Sequence, residues 1–178
     1  MQRILLVDDE ENVLKALRRL LKTEAYEVET YVDPTAALTR AREVEFDLVI
    51  SDYRMPQMDG VVFLKQFRQL QPDTMRLILS AYTDLSALLG AINDAQISRF
   101  ISKPWNDKEL LITISQVLQY RELLLENQRL ADQVRAQKGI ISRQEMMLRE
   151  MARKHPALFH VERDEDGAII LNEEDLDR

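Results

Sequence analysis

The chain has 178 residues, 46% of them hydrophobic, with a formal net charge of −7, no cysteine and only two histidines. That length allows one domain of ordinary size plus an extension, or two small domains. The acidic balance argues against nucleic-acid binding through the whole surface, the missing cysteines exclude a disulfide framework or a thiolate zinc site, and His155 and His160 alone cannot build an imidazole metal cluster. The opening stretch "MQRILLVDDE" is too short in apolar residues for a signal peptide, and no run approaches a membrane span. A cytoplasmic protein without membrane insertion is expected.

The first 105 or so residues alternate in character. "RILLV" (3–7) reads as a buried strand. Val13, Ala16, Leu17, Leu20 and Leu21 fall at helical spacing and predict an amphipathic helix over roughly 10–24. "YEVETYV" (26–32) alternates and is β-branched, the pattern of a strand. Asp33-Pro34 opens the second helix, with Asp as N-cap and Pro at the first helical position. "DLVIS" (47–51) is the third strand, and Phe63, Leu64, Phe67 and Leu70 mark the third helix, with Asp59-Gly60 as the turn at its N-terminus. "RLILSA" (76–81) is the fourth strand, Leu85, Leu88, Leu89 and Ile92 mark the fourth helix, and "RFISK" (99–103) is the fifth strand. Strands alternating with helices predict an α/β fold, doubly wound around a parallel sheet because the crossovers are right-handed.

In such a sheet the site lies beyond the carboxyl ends of the strands. The residues there are Asp8 and Asp9, Asp52, Ser80 and Lys103. Taken singly, Asp8-Asp9 reads as a cap on the first helix, Asp52 as a turn residue and Lys103-Pro104 as a strand end. Four segments delivering carboxylates, a hydroxyl and an amine to one edge read as chemistry. Three carboxylates repel and need a counter-charge, which a hard divalent cation supplies. Mg²⁺ is suited to one or two carboxylates plus water and a phosphate oxygen. With Lys103 and Ser80 available for phosphate oxygens, the edge is expected to accept a phosphoryl group, Asp52 being the nucleophile.

"LLVDDE", "SDYRMPQMDG", "LSAYTD" and "FISKPW" resemble the receiver domain of bacterial two-component response regulators, over about residues 1–120. The resemblance implies a (βα)5 sheet in the order 2-1-3-4-5 and phosphoryl transfer from a histidine kinase to Asp52. It implies that Mg²⁺ is held by Asp9 directly, Asp8 largely through water, Asp52, and the backbone carbonyl of Arg54. Ser80 and Lys103 are implied to contact the phosphoryl oxygens, and Phe100 matches the family's aromatic switch position. The positions of Arg54 and Tyr82 tune the lifetime of the acyl phosphate in the family, and a cis bond is expected at Lys103–Pro104. Phosphorylation adds roughly −1.5 to −2 charges. Ser80 is expected to move toward them and Phe100 to turn inward, reshaping the surface of the fourth helix, fifth strand and fifth helix.

Beyond "KPWNDKEL" the composition becomes rich in Leu, Gln, Glu and Arg, and one helix is expected from about 106 to 152. At 1.5 Å per residue it would be about 70 Å long. Leu110, Leu111, Ile114, Val117 and Leu118 form its sheet-facing stripe. From Tyr120 the apolar stripe changes face. Tyr120, Asn127, Val134, Ile141 and Leu148 repeat every seven residues, with Leu123, Leu130, Gln137, Gln144 and Met151 three positions later, as the a and d positions of a coiled coil do. A parallel homodimer is expected, with Asn127 favouring two in-register strands and Gln137, Gln144 and Gly139 weakening the middle. A helix folded back on its own receiver, or an antiparallel pair, is the alternative. The organisation is therefore a receiver over 1–119, a continuous coiled-coil helix over 120–153, and an acidic tail over 154–178. In that tail "VERDEDGAIIL" is either loosely ordered or a short hairpin that docks a partner.

After residue 120 there is no helix-turn-helix pattern, Gly-rich nucleotide loop or metal-hydrolase motif, so no output enzyme is expected. The stretch from Ser80 to Asp107 is similar to receivers joined to HD-GYP phosphodiesterase domains and to those of hydrogenase-type transcription regulators. The expected output is a phosphorylation-dependent interaction with an unidentified protein target. The alternative is a phosphorelay intermediate or phosphate sink. A nucleic-acid regulator acting through Arg129, Arg135, Lys138, Arg143 and Arg149 ranks last, because these residues are interleaved with acids.

Overall fold

The structure, a computed structural model, describes residues 1–24, 26–81 and 95–154. Five parallel strands, β1 (Arg3–Val7), β2 (Glu27–Tyr31), β3 (Leu48–Asp52), β4 (Met75–Ala81) and β5 (Arg99–Lys103), form one sheet in the order β2-β1-β3-β4-β5. Among the described residues the helices are α1 (Glu11–Leu21), α2 (Pro34–Arg40), α3 (Gly60–Leu70) and α4 (Asp107–Lys154). The helix expected around Leu85 to Ile92, Tyr82, and the tail with His155, His160 and the hairpin lie outside the described residues. No described helix is long and apolar enough to cross a membrane.

The inner strands are apolar throughout because both faces of the sheet are covered. Side chains alternate across a strand. Ile4, Leu6, Ile50 and Leu77 therefore pack with Leu14 and Leu17 of α1 and Leu110, Ile114 and Leu118 of α4. Leu5, Val7, Val49 and Ile78 face the other way, onto Leu38 of α2 and Phe63, Leu64 and Phe67 of α3. β2 is an edge strand and none of its residues is fully buried, which explains its alternating, more polar sequence. Asp33 caps α2 by accepting from Thr35 N at 2.8 Å, with Pro34 in the first turn, and Asp59 caps α3 through Val61 N at 2.7 Å.

At the amino-terminal edge of the sheet, Asp47 joins several elements. Its Oδ2 accepts from Arg3 N at 2.7 Å, its backbone carbonyl accepts from Met75 N at 3.0 Å, and its Oδ1 pairs with Arg121 Nη1 of α4 at 2.6 Å. Arg76, buried at the start of β4, donates to the carbonyls of Pro72, Thr74, Ala95 and Gln96 and so seats the approach to β5. The chain divides into two units, Met1–Asn127 and Gln128–Arg178. In the second, α4 continues to Lys154, and every residue from Gln128 to Glu150 is exposed.

Candidate functional site

The strand order reverses between β1 and β3, which opens a crevice beyond their carboxyl ends. Asp8 follows β1 directly and is only 1% exposed. A buried carboxylate is costly unless paired, and this one is well supplied. Its Oδ1 accepts from Glu10 N at 2.9 Å and its Oδ2 from Lys103 Nζ at 2.8 Å. Asp8 thus meets the backbone at the entry to α1, as a capping reading expects, while also reaching across the sheet. Glu10 is the N-cap residue of α1 and makes no side-chain cap bond. Asp9, one residue on, is exposed.

Asp52 is the last residue of β3 and is 6% exposed. The sequence reading ended that strand one residue earlier. Tyr53 N donates to Leu79 O at 2.8 Å, so ladder bonding to β4 runs past Asp52 and holds it as strand. Its Oδ2 accepts from Arg54 N at 2.7 Å in an Asx turn, and its Oδ1 pairs with Lys103 Nζ. Ser80 is 2% exposed in β4, and its Oγ donates to Ala81 O at 3.3 Å. Lys103 closes β5, and the Lys103–Pro104 peptide is cis, as expected.

These strand ends line one cleft of about 280 Å³, with Asp9, Asp52, Arg54, Ser80 and Lys103 on its walls. Glu10, Tyr53 and Ala81 line it too, and no sequence pattern singles them out. Gly60 was read only as a turn residue. A Cβ there would meet the carbonyl oxygen of Asp52 closer than any real side chain sits, and Gly60 N donates to Tyr53 O at 2.9 Å. The glycine lets the start of α3 lie against the backbone that carries Asp52. "MDG" soon after a strand-ending Asp was the available signal.

Part of the counter-charge for the buried carboxylates is supplied within the chain by Lys103, whose ammonium joins Asp8 and Asp52. Among the described residues, no group of three or more acidic or histidine side chains is gathered as a metal cage. Asp9 is exposed on the wall of the same cleft. Burial raises the Asp8 pKa above the ordinary carboxylate value, against the lowering pull of Lys103 and Glu10 N. Burial also works against the charge on Lys103, but its hydrogen bonds to Asp52 and Asp8 prevail and its pKa is raised. Three carboxylates against one ammonium still leave an excess of negative charge, and every donor facing the cleft from Asp9 and Asp52 is a hard oxygen. A hard cation that needs one or two carboxylates and otherwise keeps its waters fits that set.

Phe100 of β5 is half-buried and packs against the core on the α2–α3 side of the sheet. Of the expected seam residues, Tyr120, Leu123, Leu130, Val134, Ile141 and Leu148 are all exposed, at 48 to 62%, as is Asn127.

The model of the response regulator receiver domain family matches residues 4–115. The hydrogenase transcriptional regulatory protein HoxA of Bradyrhizobium diazoefficiens is 34% identical over 151 residues, which is 85% of this chain and 31% of that protein. The transcriptional regulatory protein ZraR of Klebsiella oxytoca is 32% identical over 120 residues, or 67% of this chain and 27% of that one. The chain therefore spans about a third or less of the length of these curated relatives. Among solved structures, the signal receiver domain of an HD domain-containing protein from Pseudomonas fluorescens is 40% identical with a TM-score of 0.67, covering 70% of this chain and 92% of that one. A CheY-like receiver from Methanospirillum hungatei is 29% identical with a TM-score of 0.65, covering 68% of this chain and 97% of that one.

Proposed function

The chain belongs to the response regulator receiver domain family, and from that premise we propose that Asp52 accepts a phosphoryl group from the phosphohistidine of a histidine kinase and passes the signal on through α4. The observation that carries this is the cleft built from four strand ends, where Asp52 lies beside Lys103 and Ser80. In the transfer an Asp52 carboxylate oxygen forms the new P–O bond, the P–N bond breaks, and the imidazole leaves with a proton. Lys103 holds positive charge where the phosphoryl oxygens arrive, Ser80 offers a hydroxyl, and Arg54 N keeps the Asp52 carboxylate oriented. Positioning and charge neutralisation are most of what such a transfer asks of a protein. Asp9, Asp52 and the Arg54 carbonyl would hold Mg²⁺, with Asp8 reaching it largely through water. The ion supplies neutralisation of phosphoryl charge when bound. The protein is expected in the cytoplasm, where kinase and phosphoryl donor meet.

For output, we propose that phosphorylation alters a coiled-coil dimer formed through the seam from Tyr120 to Met151, which engages a further protein. Support comes from the exposure of Leu123, Leu130, Val134, Ile141 and Leu148 at heptad spacing. In between, Ser80 moves toward the phosphoryl group and Phe100 turns into the space it leaves. Replacing Phe100 with Ala should leave phosphorylation intact and abolish its effect on output.

The direct test incubates the purified chain with acetyl phosphate and Mg²⁺ and follows intact mass. One hydroxylamine-labile phosphoryl group is expected, not formed when Mg²⁺ is chelated before acetyl phosphate is added and absent from Asp52→Asn. Undiminished labelling of Asp52→Asn would sink the assignment. A second reading, control of transcription, rests on the names of the relatives. Salt-dependent retention of duplex DNA by the phosphorylated chain is its test.

A further inference from the structure

Two apolar faces follow one another along α4. The first, Leu110, Ile114, Val117 and Leu118, is buried on the sheet. The second starts at Tyr120 and Leu123, which are 56% and 62% exposed. At about 100° per residue, the centre of the first face and the line through Tyr120, Leu123 and Asn127 lie roughly 130° apart around the helix. Because α4 is one continuous helix, the contacts that seat it on the sheet also set which way its second face is turned, and the apolar contacts run out after Leu118.

Arg121 occupies that place. It falls on the angular line of the sheet-facing stripe, one turn beyond Val117 and Leu118. In place of an apolar contact it makes two polar ones. Nη1 pairs with Asp47 Oδ1 at 2.6 Å, and Nε donates to Asp73 O at 2.9 Å. The side chains are only 18% and 24% exposed, so the pair is less screened than a surface salt bridge. The carboxylate is itself fixed, because Asp47 Oδ2 holds Arg3 N and its backbone bonds to the starts of β1 and β4. The neighbouring Gln2 Nε2 to Glu122 Oε1 bond, 2.8 Å and exposed, adds little.

We infer that the Asp47–Arg121 ion pair carries the seating of α4 on the sheet one turn past Leu118, making Arg121 a positioning residue for the helix where the seam begins at Tyr120 and Leu123. The guanidinium fork, held to a carboxylate and a carbonyl at once, resists rotation of the helix about its axis as a single point charge would not. The pair lies at the sheet edge opposite Asp52, with β3 running from just beyond Asp47 to Asp52. The consequence for the seam rests on the dimer reading given above. The consequence for the helix does not.

The test has two arms on the full chain. Amide exchange would compare wild type, Arg121→Ala, Arg121→Lys and Asp47→Asn, the last keeping an oxygen for Arg3 N. Exchange at 119–126 should rise about tenfold in Arg121→Ala and in Asp47→Asn while β1 and β3 keep their protection, with Arg121→Lys in between. Unchanged exchange, or Lys no better than Ala, overturns the inference. The second arm uses the absence of cysteine. In the wild-type background Leu123→Cys should form interchain disulfide faster than Leu124→Cys, and Arg121→Ala should bring the two toward equal rates. A preference undisturbed by Arg121→Ala overturns the seam claim. Failure of either cysteine to cross-link in the wild-type background sinks the dimer reading, and the exchange arm then decides the clamp alone.

Discussion

Residues Met1–Asn127 and Gln128–Lys154 solve the same physical problem in opposite ways. In the first unit the apolar side chains of β1, β3 and β4 are covered on both faces of the sheet. Among the described residues no buried side-chain nitrogen or oxygen lacks a partner. In the second, Leu130, Val134, Ile141 and Leu148 are 48 to 55% exposed. One helix, α4, supplies both cases. Its first four turns bury Leu110, Ile114, Val117 and Leu118, and its later turns present the same kind of residue to solvent. A stripe at helical spacing marks an apolar face, but only the surrounding chain decides whether that face is covered internally.

The largest effect that would sharpen this contrast is functional. Asp52→Asn should abolish phosphoryl acceptance completely while leaving the seam unchanged, read by intact mass and by sedimentation. Next come paired truncations. Phe67→Ala, in a fully buried ring cluster with Phe46 and Phe63, should cost about 3–5 kcal/mol in urea unfolding. Leu130→Ala should change unfolding of the receiver by less than about 0.5 kcal/mol and act instead on dimer dissociation. Equal costs would erase the distinction between the two regions. Gly60→Ala lies between them, with about 1–3 kcal/mol of destabilisation from the clash with the Asp52 carbonyl and slower phosphoryl acceptance. Normal kinetics in that variant would show that the backbone carrying Asp52 can yield.

The smallest effect concerns pH. The hydrogen bond from Arg40 lowers the pKa of Glu29, against the raising influence of burial. A carboxylate depressed in the folded state contributes stability above its ordinary pKa, and that contribution disappears as pH falls through the folded value. Glu29→Gln should therefore weaken the receiver slightly at neutral pH and flatten its acid limb, measured by unfolding from neutral pH down through and below the ordinary glutamate pKa of about 4.3. A wild-type slope retained in Glu29→Gln would assign the acid limb to other groups.

Much of the fold was legible. The strands were placed within a residue or two because apolar runs and alternation are local properties, and Asp33-Pro34 marked α2 because capping needs only neighbours. The strand order followed from a resemblance, not from periodicity. The candidate cluster was legible because an α/β sheet places strand ends at one edge. Its internal pairing was not. That Lys103 reaches both Asp8 and Asp52 depends on how β1, β3 and β5 lie beside one another in the sheet.

What the sequence determined by itself is the set of elements among the described residues, the residues at the strand ends and the heptad spacing after Tyr120, because each depends on side chains a few positions apart. The tertiary structure alone decided that Lys103 bridges two carboxylates, that the start of α3 lies against the Asp52 carbonyl at Gly60, and that Arg121 closes on Asp47. Those contacts join segments distant in the chain. Their geometry is set by how strands and crossovers stack, which no local pattern encodes.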